Sequence, residues 1–260
     1  MSTPRFTRYV ALGDSSTEGL SDGRASTGYR GWSRRLAARI ARDEGGLLYA
    51  NLAVRGLTTR AVRDGQLARA LAMRPDLASV FTGTNDVLAD RFDVNAFADD
   101  THAMQAALRE QGATVITFTL PDLTPLLPMA RRLSPRIAAM NERLRAVCNA
   151  TGTHLVDFTD VPVAVDARLW NDDRLHANPA GHARIADALA EALGLPGADA
   201  TWREPLPPLG PPSPLAVAWR ETRWVVRHLL PWFVFQRVQP LLPRPHRPGP
   251  VPELTPVAPH

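Results

Sequence analysis

The sequence predicts an α/β fold: a parallel sheet of five strands with helices on both faces, followed by an extension rich in proline, arginine and tryptophan. Three observations carry this reading. Between residues 8 and 195, short apolar or β-branched runs alternate with longer stretches in which apolar residues recur every three or four positions. Parallel neighbours need a crossover between them, so five such units in succession specify a parallel sheet with right-handed connections. Proline density then changes, with 15 of the 24 prolines after residue 200, which puts a boundary near 195–205 and divides the chain into 1–200 and 201–260.

Taken in order, residues 8–13 read as the first strand. Tyr29, Trp32, Leu36 and Ile40, with Arg34, Arg35, Arg39 and Arg42 between them, form an amphipathic helical stripe. Strands are predicted at 47–52, 76–82, 113–120 and 153–158, and helices at 58–73, 94–111 and 135–150. The last body helix, about 179–193, has Asn178 as its N-cap, Pro179 at its first position and Gly194 just past its end.

Composition removes several chemistries. All 30 basic residues are arginine, and without lysine there is no P-loop, no protein-kinase phosphate lysine and no Schiff base. Cys148 is the single cysteine, so an internal disulfide and a thiolate metal cluster are both excluded. The net charge of +4 belongs to residues 201–260, which hold seven Arg and three Glu, while residues 1–200 are neutral. A neutral body argues against nucleic acid as a partner. Residues 1–12 lack the apolar run of a secretion signal, so a cytoplasmic location is expected, and no stretch has the length and apolarity of a membrane span.

Four short motifs fall just beyond the ends of predicted strands, at the sheet edge where open parallel sheets bind ligands. They are Gly13-Asp14-Ser15, the segment from Asn51 to Gly56, Gly83-Thr84-Asn85-Asp86, and Asp173-Arg174-Leu175-His176. A serine nucleophile needs a base, the base needs an orienting acid, and the tetrahedral intermediate needs hydrogen-bond donors. Ser15, His176 and Asp173 supply the first three roles. The backbone N–H groups of Ser15 and Gly56 and the side-chain amide of Asn85 are the candidate oxyanion donors. Asp14 and Asp86 read as acids that satisfy turn N–H groups.

With these four blocks in this order, the sequence resembles the SGNH/GDSL hydrolase superfamily over about residues 8–195. The resemblance implies a three-layer α/β/α, flavodoxin-like fold, Ser15, Asp173 and His176 as a catalytic triad, and Ser15, Gly56 and Asn85 as an oxyanion hole. Ser16 stands where the family's Gly-Asp-Ser-Leu form has leucine. The implied activity is that of a serine esterase or acylhydrolase acting on a small-molecule or lipid acyl ester through an acyl-enzyme, with no cofactor and no metal. An acyltransferase using the same acyl-enzyme is the alternative, and a non-catalytic binding module on the same fold is a third.

Substrate contacts are expected from loops 17–31, 121–133 and 159–172, the middle one being apolar enough to line an acyl pocket. His182 with Asp172 is the remaining combination that could suggest a metal, but its spacing matches no metal motif. In the extension, Leu215, Trp219, Val226, Leu229 and Phe233 form one stripe of an amphipathic helix at about 215–230, with Arg220, Arg223 and Arg227 beside it. The stripe suits docking on the body or on a partner chain, and alternatively peripheral membrane contact through 215–235. Residues 240–260 read as an extended or disordered proline-rich end.

Overall fold

The run from Tyr9 to Leu12 is apolar at every position because the strand it forms is covered on both sides. The structure, a computed structural model, describes residues 5–24, 28–127, 131–210, 213–229 and 249–257. Strand β1 (Arg8–Gly13) sends Tyr9 and Ala11 into one hydrophobic cluster and Val10 and Leu12 into a second on the opposite face. There follow a four-residue helix α1 (Ser15–Glu18), a short ribbon of β2 (Gly23–Arg24) and β3 (Gly28–Tyr29), helix α2 (Gly31–Glu44) and strand β4 (Leu47–Asn51). Next come α3 (Thr59–Ala72), β5 (Leu77–Phe81), α4 (Thr84–Leu88), α5 (Val94–Glu110), β6 (Thr114–Phe118), α6 (Ser134–Thr151) and β7 (His154–Val156). Helix α7 (Pro179–Ala192) completes the body, and α8 (Pro214–Trp224) and β8 (Val251–Val257) come from the extension. Among the described residues, no helix is long and apolar enough to cross a membrane.

The sheet order is β7-β6-β5-β1-β4-β8, with the first five strands parallel. Counting the parallel strands along the chain, this is the flavodoxin-like order 2-1-3-4-5. Its switch point lies between β1 and β5, where the crevice for a ligand opens. Helices α2 and α7 bury Trp32, Leu36, Ile40 and Leu189 on one face, and α3 and α5 bury Val62, Ala70, Met104 and Leu108 on the other. Asn178 caps α7 as the sequence indicates, its side chain accepting from the N–H groups of Ala180 and Gly181.

Aromatic rings tie α2 to the far side of the body. Trp32 meets Phe118 edge-on at 5.3 Å, Phe118 stacks on Phe81 at 3.9 Å and meets Phe158 at 5.6 Å, and Phe158 meets Trp202 at 5.3 Å. Each such pair adds about 0.5–1.5 kcal/mol beyond the area it buries. Trp202, which sequence places just inside the extension, is thus packed in the body, with its Nε1–H donating to Glu191 at 2.6 Å.

The proline-rich end is extended and joins the sheet in its described part. Residues 251–257 form an antiparallel sixth strand on β4, pairing Leu47 with Val257 and Leu48 with Pro256 across a bulge near Tyr49. An edge strand needs only alternate N–H groups for pairing, and Pro252 and Pro256 fall in the same phase of it. Of the two expectations for this end, extended or disordered, residues 251–257 take the extended one. Phe233 and the other residues of 230–248 lie outside the described residues.

Candidate active site

The first motif is shaped by close packing at the end of β1. A Cβ on Gly13 would collide with the Thr17 side chain and the Phe81 carbonyl, so only glycine lets α1 begin directly beside β5. Gly13 lies past the end of the β1–β4 pairing, and Gln66 of α3 takes over there. Gly13 N–H donates to Gln66 Oε1 and Gln66 Nε2 donates to Gly13 C=O, both at 2.9 Å. Asp14 then caps α1, its Oδ1 accepting from Ser16 N–H at 3.1 Å, and Ser15 is the first residue of that helix.

Ser15, His176 and Asp173 are brought together across 161 residues of chain. Ser15 Oγ lies 2.8 Å from His176 Nε2, and His176 Nδ1 lies 2.8 Å from Asp173 Oδ2. A carboxylate only accepts, so Nδ1 carries the proton and Nε2 is left free to accept from the Ser15 hydroxyl. The other carboxylate oxygen of Asp173 accepts from the N–H groups of Leu175 and His176 at 2.9 and 3.0 Å. Burial alone would raise the Asp173 carboxyl, but the hydrogen bond and charge of His176 outweigh it and hold the group at about 2.

The second and third motifs meet beside Ser15. Asn85 Nδ2 donates to Asp14 Oδ2 at 3.1 Å and to the Leu57 carbonyl at 3.0 Å, so both amide protons face acceptors. Gly56, with φ +79°, sits between Leu57 and Arg55. Arg55 is clamped to Glu18 of α1 through its N–H at 3.0 Å and its Nη2 at 2.6 Å. Burial pushes Asp14 up to about 6, against the hydrogen bond from Ser16, the charge of His176 and the Asn85 amide. Asp86 accepts from the Thr59 N–H and hydroxyl at 2.9 and 3.0 Å, a turn-satisfying role like that read from sequence.

An apolar cavity opens beside Ser15 and His176. Phe118, Leu120, Phe158, Val163, Leu169 and Trp170 are among its walls. Loop 159–172 supplies several of these, whereas loop 121–133 contributes only Pro121 among its described residues. Leu123 and Leu126 instead pack with Leu127, Trp170 and Leu175, supporting the wall from behind, and no described residue of 17–31 lines the cavity. Trp170 is fixed by donating from Nε1 to the Ala164 carbonyl at 2.9 Å.

His182 has no ring nitrogen to spare for a metal. Its Nδ1 accepts from Trp32 N–H at 3.1 Å and its Nε2–H donates to the Leu20 carbonyl at 3.0 Å. Burial holds it neutral, with its pKa lowered to about 4.

Several contributors to this site have roles that the motifs do not reveal. Gln66, the Glu18–Arg55 clamp and Arg174 are visible only once the chain is folded. Arg174 lies inside the fourth motif with φ +59°, and both its Nη atoms are 2.7 Å from the Glu221 carboxylate of α8. The one sequence signal was its place between Asp173 and His176.

A doubly wound sheet with these motifs at its C-terminal edge defines an α/β protein of the SGNH hydrolase fold. The chain belongs to the GDSL-like lipase/acylhydrolase family, whose model matches residues 11–184, and it is a hydrolase acting on ester bonds. No curated protein matches it. Among solved structures it is similar to an α/β hydrolase enzyme from the metagenome of Lake Arreo, Spain, at 23% identity and TM-score 0.60, covering 72% of this chain and 95% of that one. It is similar to the psychrotrophic esterase EstA of Pseudoalteromonas sp. at 18% identity and TM-score 0.57, covering 72% and 97%. A catalytic mutant of an acetylxylan esterase from Geobacillus stearothermophilus aligns at 18% identity and TM-score 0.59, covering 75% and 97%. These likenesses concern the fold.

Proposed function

We propose that the chain is a serine esterase that cleaves an acyl ester through an acyl-enzyme on Ser15. The observation that carries this is the relay from Ser15 to His176 to Asp173, with both links at 2.8 Å. Ser15 Oγ attacks the acyl carbonyl as His176 Nε2 takes its proton, and Asp173 stabilises the imidazolium that forms. His176 then protonates the leaving alcohol. Water, activated by the same base, attacks the acyl-enzyme, and the serine proton returns from His176 as the carboxylic acid departs.

The oxyanion is received by the N–H groups of Ser15 and Gly56 and by the Asn85 amide, which turns one proton from its present acceptor toward it. The acyl chain lies in the cavity walled by Phe118, Phe158, Leu169 and Trp170. Its apolar walls suit an alkyl or aryl acyl group. Ser15→Ala is expected to abolish hydrolysis of a p-nitrophenyl ester and labelling by a fluorophosphonate probe while the unfolding midpoint stays unchanged. Full activity in that variant would overturn the proposal.

A further inference from the structure

Helix α8 and the widened turn that continues it, Val225–Leu229, present two unlike faces. Val217, Glu221, Trp224 and His228, spaced four, three and four residues apart, are half-buried. This side is seated on the body: Glu221 holds Arg174, the Arg174 guanidinium lies 4.8 Å from the Trp224 ring centroid, and Arg223 approaches Asp172 at 3.6 Å. On the opposite side Leu215, Trp219 and Val226 are 83%, 71% and 61% exposed. The described part of the apolar stripe read from the sequence, Leu215, Trp219 and Val226, therefore points outward, and it is the mixed stripe that docks. Arg220, Arg223 and Arg227, all exposed, run along the flank between the two faces, where they border the crevice against the body; Arg220 lies 3.3 Å from Glu221 and Arg223 3.6 Å from Asp172.

We propose that this outward face docks on the surface of an anionic lipid bilayer. A single helix presenting a Leu-Trp-Val stripe offers too little area for a stable protein interface, yet it matches the depth to which interfacial helices insert. Tryptophan suits the boundary between headgroups and acyl chains, and the arginine flank can reach phosphates while its alkyl stems stay with the apolar stripe. Charge selects the partner. Glu221 is the only acid between residues 205 and 252, and it is held by Arg174 on the docked side. Two copies of the chain meeting through this face would set arginines against arginines. The helix is also pre-positioned on the segment 167–174, whose Leu169 and Trp170 wall the Ser15 cavity, so binding brings that cavity close to the lipid surface.

The test is vesicle flotation of the full chain, read without turnover and so independently of the role given to Ser15. Phosphatidylcholine vesicles with and without phosphatidylglycerol are compared for the wild type, Trp219→Glu and Arg227→Glu, with thermal melts as the folding control. With Arg220 and Arg223 already facing acids of the chain, the arginine flank predicts a preference for the anionic vesicles of at least about fivefold, lost at high salt. Trp219→Glu is expected to cut binding at least about tenfold and Arg227→Glu, which changes the charge by two, about thirtyfold. Equal partition into both vesicles, or unchanged binding by folded Trp219→Glu, would overturn the proposal. So would a dimer in light scattering that Trp219→Glu dissolves without any vesicle binding, since the face would then belong to a second copy.

Discussion

Gln66 offers a way to test how the position of Ser15 depends on packing remote in sequence. It is 2% exposed and makes two 2.9 Å hydrogen bonds to the peptide groups of Gly13, two residues before the serine. Gln66→Leu keeps the bulk and removes both. The carbonyl of Gly13 retains the Val54 N–H at 3.2 Å, so its loss is that of one ordinary bond, about 1 kcal/mol. The Gly13 N–H faces the side where β1 and β4 no longer pair and is left buried without its acceptor, which costs about 1–3 kcal/mol. The sum, about 2–4 kcal/mol, corresponds to a fall in Tm of roughly 4–16 °C for a domain of this size. A tilt of the Gly13 peptide displaces Ser15 relative to His176, and misplacement on the order of 1 Å costs about a hundredfold in rate. Differential scanning calorimetry and kcat for a p-nitrophenyl ester would be measured together. A Tm within about 2 °C of wild type with undiminished kcat would refute the claim that Gln66 holds the Gly13–Ser15 turn.

Other perturbations probe the relay, the buried acid and the cavity. Asp173→Asn should leave the imidazole in the wrong tautomer and lower kcat by about 10⁴ while KM changes little, as read from steady-state kinetics. Asp14, raised to about 6, binds its proton more tightly folded than unfolded, so its stabilising contribution is complete below about pH 4 and is lost as pH rises through about 6. Urea melts should show that loss between those pH values and a shallower dependence in Asp14→Asn; identical slopes would count against it. Asp173 has the opposite sign, its contribution being present above about pH 4 and lost as pH falls through about 2. Ala164→Leu, which fills space in the cavity wall, should shift ester preference toward shorter acyl groups in a chain-length series, and an unchanged profile would place the acyl chain elsewhere.

Much of the site could be read directly because its elements are local. Gly13-Asp14-Ser15, Gly83-Thr84-Asn85-Asp86 and the run from Asp173 to His176 each encode a turn at a strand end, with backbone demands that only certain residues meet. Loop choice was only partly legible: of the three loops expected at the site, 159–172 lines the cavity, whereas 121–133 gives only Pro121 among its described residues, Leu123 and Leu126 forming a cluster of their own, and no described residue of 17–31 reaches it. Composition indicated an extended or disordered end for 240–260, but not that 251–257 would pair with β4 as an edge strand.

The sequence by itself determined the doubly wound sheet, the order of its units, the four motifs and the confinement of the net charge to the extension, because periodicity and turn chemistry act over a few residues. Tertiary structure alone decided that Gln66 completes the Gly13 turn, that Glu18 clamps Arg55, that Asp14 is buried enough to rise to about 6, and that α8 turns Leu215 and Trp219 outward. Those partners lie tens of residues apart or more. Hydrogen bonding and desolvation depend on distances that only the packed fold establishes, and a stripe of apolar residues does not state which side of a helix its neighbour will claim.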